Sequence, residues 1–131
     1  VRDRVDLLLG PYASNITFVA SEVAESHSFP MVATGAASSR IWSRGLHYIF
    51  QVDTPATEYM DQSMILARDK GLKRIALVYA DSEFPRDVIA GVRTAADKYG
   101  LQIVYELIYP RGNTAFEQIT QKMALTNPEA V

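Results

Sequence analysis

Three loops of the sequence hold the residues best suited to bind a small molecule. They span residues 10–17, 34–39 and 80–85, and each follows a short apolar run. In open parallel sheets, ligands bind beyond the carboxyl ends of the strands, where such loops lie. The first loop leads into a helix that starts with the hydroxyl of Ser14, and a helix N-terminus favours an anion such as a carboxylate. A simpler interpretation is that Ser14 only caps its helix.

The second and third loops allow two interpretations each. Residues 34–39 include Gly35, Ala37 and Ser38, whose small side chains let a ligand approach the backbone closely. A plain surface turn has the same composition. The third loop ends in Phe84 beside a proline. This aromatic ring is suited to cover an apolar ligand, or to act as a hydrophobic staple for the helix that follows it.

Motifs of catalysis and of metal or cofactor binding are missing from the sequence. It contains no G-x-S-x-G, P-loop or G-x-G-x-x-G string. It contains no cysteine, which excludes disulfides, thiolate nucleophiles and Cys–zinc sites. His27 and His47 do not have the spacing of metal ligands. We therefore predict no catalytic residue, no metal site, no cofactor and no enzymatic activity.

Composition narrows the classes of partner. The chain has 131 residues, a net charge of −2 and both signs of charge interspersed along it. Because no basic stripe or cluster is present, we do not expect nucleic acid to bind. No apolar run approaches the roughly 18 residues that a membrane-spanning helix needs.

The hydrophobic pattern alternates between strands and helices, which predicts an α/β fold of parallel βαβ units with right-handed crossovers. Short apolar runs predict strands at residues 5–9, 31–33, 47–52, 75–79 and 103–109. The first of these runs is apolar on both faces, as in a buried parallel strand. Helical spacing predicts that Phe18, Val19, Val23 and Ala24 face inward.

Three further helices have start signals of their own. A proline in the first turn predicts starts at residues 54–55 and at 85, and a capping box predicts a start at 114–117. We place a boundary near residues 51–55. Pro128 and the small residues after it indicate the approach to a further strand, so both ends of the chain are expected to continue into a longer protein.

The order and spacing of several segments resemble a known family. These segments are residues 5–14, 30–38, 44–50, 81–84 and 109–116. Together they resemble the leucine/isoleucine/valine-binding family of type I periplasmic binding proteins, which are the solute receptors of ABC importers. The resemblance runs nearly end to end. It implies a Rossmann- or flavodoxin-like fold of two lobes that close on a solute, with residues 1–50 in the first lobe and 51–131 in the second.

The resemblance also implies a set of ligand-binding residues. Ser14 and backbone groups around Gly35 and Ala37 would hold a carboxylate, and Phe84 would close over the ligand in the cleft between the lobes. The family often has Thr or Ser where this chain has Ala37, so Ser38 would have to supply that hydroxyl. It often has Tyr-Gly where this chain has Phe84 and a proline. These differences imply a less polar pocket for an amino acid, a related small carboxylate or amide, or an organic acid.

Partners and location follow from the same resemblance. A receptor of this family is exported to the periplasm or the cell exterior, binds a small-molecule ligand and delivers it to the membrane permease of an ABC importer. Incomplete lobes would expose strand edges and apolar faces, so we expect the chain to self-associate. Two alternatives remain open at this stage: a ligand-sensing domain of a receptor or regulator, and a flavodoxin-like α/β enzyme.

Overall fold

The computed structural model describes residues 3–131 and divides into two compact units, Val1–Ala56 and Thr57–Val131. We call them the first and the second unit. The division directly follows the boundary region 51–55 that the sequence indicates. The assignment of the units to two lobes stays a prediction. No helix within the described residues combines the length and apolarity that crossing a membrane requires.

The first unit is built on a three-stranded parallel sheet in the order β1-β2-β3. Its strands are β1 (Leu8–Leu9), β2 (Met31–Ala33) and β3 (Ile49–Gln51). Helix α1 (Ser14–Ser26) connects β1 to β2, and the short helix α2 (Ser39–Trp42) lies between β2 and β3. The sequence pattern predicted β2 to the residue but left residues 34–46 as a loop, so it missed α2.

The second unit holds a parallel pair of longer strands. These are β4 (Arg74–Ala80) and β5 (Gln102–Tyr109), with the helices α3 (Asp61–Asp69), α4 (Glu83–Tyr99) and α5 (Phe116–Ala124). Ala130 forms a parallel bridge with Ile75, so the chain after Pro128 joins the free edge of β4. The predicted α/β class with parallel βαβ units is confirmed.

The core of the second unit follows the amphipathic pattern of α3 and α4. Its buried residues include Met64, Ile75, Leu77, Ile89, Val92 and Leu101. Gly100 ends α4 in the left-handed conformation with a φ of 68°, which a residue without Cβ adopts at little cost. This helix stop is where the sequence predicted it.

The predicted helix starts were displaced. The helix expected at 54–55 forms a 3-10 turn (Ala56–Glu58) before α3 begins at Asp61. Helix α4 begins at Glu83 and not at Pro85, because the first-turn N–H groups need no partner within the helix and a proline is tolerated there. The capping box at 114–117 does not form, since α5 begins at Phe116 without a side-chain cap.

The inward face of α1 also differs from the prediction. Val19 and Val23 were expected in the core but are 61% and 58% exposed. The residues that α1 buries are mostly small and polar: Ser14, Thr17, Ser21 and Ala24. Helical periodicity identifies an apolar face of a helix, but it does not show which face packs against a neighbouring element. Here the small stripe is covered because it forms hydrogen bonds to the loops around it.

An uncovered apolar face therefore remains on the first unit. Strand β1 was predicted to be buried but lies at the edge of the sheet, and Leu9 is 72% exposed. Beside it, residues of β1 and α1 line an apolar groove of about 590 Å³. Large contiguous apolar patches on soluble proteins mark surfaces that another chain segment covers.

Self-association stays a prediction, and this face is where we expect it. We commit to a second copy as the occupant, because the stripe Ile16, Val19 and Val23 is suited to pair with itself around a two-fold axis. Replacing both Val19 and Val23 by Glu should shift the chain toward monomer in light scattering across a concentration series. Leu125→Glu, at an exposed apolar site on the second unit, is the control. An unsubstituted chain that stays monomeric at every concentration would contradict this prediction.

Candidate functional site

Ser14 does not cap its helix. It is the first residue of α1, the N-cap position is Ala13, and that cap has no side-chain hydrogen bond. Instead, the Oγ of Ser14 accepts a hydrogen bond from the backbone N–H of Ser38 at 3.3 Å. Both residues are buried, with 4% and 1% of their surface exposed. The simple capping interpretation is therefore wrong, and Ser14 and Ser38 form a buried pair between the first two predicted loops.

Hydrogen bonds hold the first loop against the start of α1. The hydroxyl of Thr17 donates to the carbonyl of Pro11 at 2.8 Å, and the N–H groups of Ile16 and Thr17 both reach the carbonyl of Ala13. The earlier N–H groups of the first turn point beyond the helix, where the positive end of the helix dipole lies. The backbone N–H groups at the start of α1 are thus hydrogen-bond donors held in fixed positions.

The second loop is part of the interior. Ala36 and Ala37 are fully buried, and Ser38 precedes α2 as its N-cap residue. The carbonyl of Ala37 accepts a hydrogen bond from the N–H of Ala56 at 2.9 Å. The interpretation of this loop as a plain surface turn is therefore wrong. Its small residues are required because the backbone packs closely against its neighbours.

Tyr12 was not predicted from the sequence as a residue near the candidate site. Its ring lies against the backbone of Gly35, and a Cβ built on Gly35 would be 2.4 Å from two ring carbons of Tyr12. The residue is 79% exposed, so the ring forms an open aromatic surface beside the loop. A glycine facing an aromatic residue of another loop is the signal that could have found it, but sequence spacing does not show which loops meet.

Phe84 lies at the carboxyl end of β4 but is not a hydrophobic staple. It is the second residue of α4, whereas a staple residue precedes the N-cap, which here is Ser82. Its ring packs edge-on against Tyr59, with centroids 5.2 Å apart and an interplanar angle of 74°. Phe84 is half-buried and lines a groove of about 450 Å³ within the second unit.

A charged network of the second unit joins α4 to the two strands. The hydroxyl of Tyr79 donates to Glu106 at 2.8 Å, and Arg93 pairs with Glu106. Burial and then the Glu106 carboxylate raise the pKa of Tyr79, while the hydrogen bond from Arg93 lowers the pKa of Glu106. These groups link α4 to the sheet and hold their charges fixed, an arrangement typical of a structural ion pair.

The histidines have structural contacts in the first unit. Nδ1 of His27 lies 2.9 Å from the carbonyl of Val23 at the end of α1. The carboxylate of Glu25 accepts the backbone N–H groups of His47 and Tyr48, and these bonds lower the pKa of Glu25. Within residues 3–131, no group of three His, Asp or Glu side chains is placed to hold a metal ion.

Comparison with known proteins identifies the family. A family profile described as periplasmic binding protein matches residues 1–131. The chain belongs to the periplasmic binding protein family. This is a family of solute-binding proteins and not of enzymes, and the resemblance noted in the sequence is confirmed.

Individual periplasmic binding proteins support this assignment. The chain is 28% identical over 116 residues to the Leu/Ile/Val-binding protein homolog 8 of Brucella abortus, which covers 81% of this chain and 28% of that protein. The chain thus spans less than a third of the length of this relative.

Two solved structures have the same fold. One is a solute-binding protein of an ABC transporter from Rhodopseudomonas palustris HaA2 in complex with p-hydroxybenzoic acid, with a TM-score of 0.90 and 20% identity over 100% of this chain and 36% of that one. The other is an ABC transporter solute-binding protein from R. palustris in complex with 4-hydroxybenzoate, with a TM-score of 0.88 and 21% identity over 98% and 34%.

Gly35→Ala tests the contact between Tyr12 and the second loop. The new Cβ occupies the place of the ring, so the exposed Tyr12 ring should swing into solvent at a small cost in stability. Nuclear Overhauser contacts between the ring protons and residue 35 should disappear, while the thermal midpoint changes by no more than a few degrees. If those contacts persist in the variant, the Tyr12 ring does not lie against this backbone.

Proposed function

We propose that the whole protein carrying this chain is an exported solute receptor that binds a small carboxylate and delivers it to the membrane permease of an ABC importer. The observation that supports this most is the buried Ser14–Ser38 pair at the N-terminus of the 13-residue helix α1. Export is part of the proposal and follows from the family.

The chemistry of the pair suits an anion. A serine hydroxyl that accepts one hydrogen bond can still donate its own proton. The N–H groups in the first turn of α1 add donors, and the helix dipole favours negative charge at this end. Because Ser14 and Ser38 are buried, a hydrogen bond to a carboxylate there would be only weakly screened by water.

The surroundings favour an apolar and flat ligand body. The exposed ring of Tyr12 lies beside Gly35, and it can stack against an aromatic ring. We propose Phe84 as a further apolar contact of the ligand. Two similar solved proteins are in complex with 4-hydroxybenzoate. We therefore place aromatic carboxylates first as ligands, and branched-chain amino acids, suggested by the name of the Brucella relative, second.

Ser14→Ala tests the proposed carboxylate contact. Calorimetric titration of the whole protein with 4-hydroxybenzoate should show affinity weakened by about 1–2 kcal/mol, the scale of a lost hydrogen bond to a charged group. The affinity for the matching neutral amide, 4-hydroxybenzamide, should fall by less in the same variant. Ser26→Ala, an exposed serine on the same helix, is the control and should bind as the wild type does. Equal affinity of the Ser14 variant and the wild type would show that Ser14 does not bind the ligand.

A further inference from the structure

The side chain of Arg44 makes several hydrogen bonds within the first unit. Its Nε donates to the carbonyl of Ile41 at 3.2 Å, and Nη1 donates to the carbonyl of Phe18 at 3.1 Å. Nη1 also pairs with Glu22 at 3.1 Å, and Nη2 donates to the hydroxyl of Ser21. The Arg44 side chain is only 19% exposed, so water competes little for these bonds.

These bonds join two helices at a distance from the candidate site. Phe18 and Ser21 lie one and two turns into α1, and Ile41 lies near the end of α2. The same two helices begin at the residues of the buried pair, since Ser14 starts α1 and Ser38 is the N-cap of α2. A helical turn is stiff, so a clamp further along both helices fixes the spacing of their starts.

The ring of Phe18 completes the clamp. The guanidinium carbon of Arg44 lies 4.1 Å from the centre of this ring, within the range of a cation–π contact. Phe18 packs in turn against the buried cluster of Ala33, Ala36 and Ile41. Because Ala36 belongs to the loop that holds Ser38, this packing links that loop to α1.

We infer that Arg44 is a positioning residue for the carboxylate site. It sets the distance between the Ser14 hydroxyl and the Ser38 N–H without touching the ligand. The inference rests on the proposed function for its effect on binding, but its geometric part does not. Only a planar guanidinium supplies donors in these separate directions at once, so a lysine at this position should keep the charge and lose the positioning.

Hydrogen exchange of the ligand-free protein tests the geometric part. In Arg44→Lys and Arg44→Ala, the amide of Ser38 should exchange at least about tenfold faster, because its hydrogen bond to Ser14 loosens. The amide of Met31, which donates to the carbonyl of Tyr48 between β2 and β3, reports whether the unit is still folded. If the Met31 amide loses protection in the alanine variant, that variant is unfolded, and the exchange rate of Ser38 is then compared in the lysine variant. Unchanged Ser38 exchange in a folded variant overturns the inference.

A titration tests the functional part. Arg44→Ala should weaken 4-hydroxybenzoate binding about tenfold, the effect of losing one hydrogen bond to a charged group, and should weaken 4-hydroxybenzamide less. Millimolar guanidinium should restore part of the affinity. Arg40→Ala removes another cation near the Phe18 ring, at 5.1 Å, and should have a smaller effect. Equal losses for acid and amide, or for both arginine variants, would show a merely structural or electrostatic role.

The two experiments separate this inference from the proposed function. A wild type that binds neither 4-hydroxybenzoate nor leucine counts against the proposed ligand class, and the exchange rate of Ser38 still decides whether Arg44 holds the pair. Normal binding with unchanged Ser38 exchange supports the proposed function and rejects the role of Arg44.

Discussion

The close approach of α1 to residues 34–46 depends on the small residues along its inner face. Ser14, Thr17, Ser21 and Ala24 replace the large apolar side chains that a helix usually buries, so hydrogen bonds can form where a wide apolar layer would keep the chains apart. Ser14 meets the Ser38 amide through this contact, and Arg44 reaches Ser21 through it. The Ser14–Ser38 pair and the contacts of Arg44 therefore both depend on the small residues along the inner face of α1.

The small residues on the inner face of α1 explain why the two units differ in their cores. The second unit buries an ordinary amphipathic helix, with Ile89 and Val92 of α4 against Ile75 and Leu77 of β4. The first unit exposes Ile16, Val19 and Val23 of α1 and has small buried clusters around Met31 and Ile41. The structure of the first unit depends more on buried polar contacts than that of the second unit does. Breaking such a contact is costly because a buried donor or acceptor loses its partner.

Sequence patterns predicted the elements better than the site. Strand β2 and the apolar runs of β4 and β5 were found because β-branched and apolar residues between turn signals leave few alternatives. The inner face of α1 was mispredicted because an apolar stripe does not reveal its partner. Tyr12 was missed because its contact with Gly35 joins two loops, and α2 was missed because four residues give too little periodicity. Ser14 was singled out because a hydroxyl at a strand-to-helix junction is suited either to cap the helix or to bind an anion, and its role in ligand binding stays a prediction.

We propose that the start of α1 and the second loop together receive a carboxylate. The most direct test is an amide-resolved NMR titration of the isotopically labelled whole protein with 4-hydroxybenzoate. We expect saturable shifts that are largest at the amides of Ser38 and Asn15, with smaller shifts at Gly35 beside the Tyr12 ring. Saturable binding that leaves residues 10–17 and 34–39 unperturbed would contradict it.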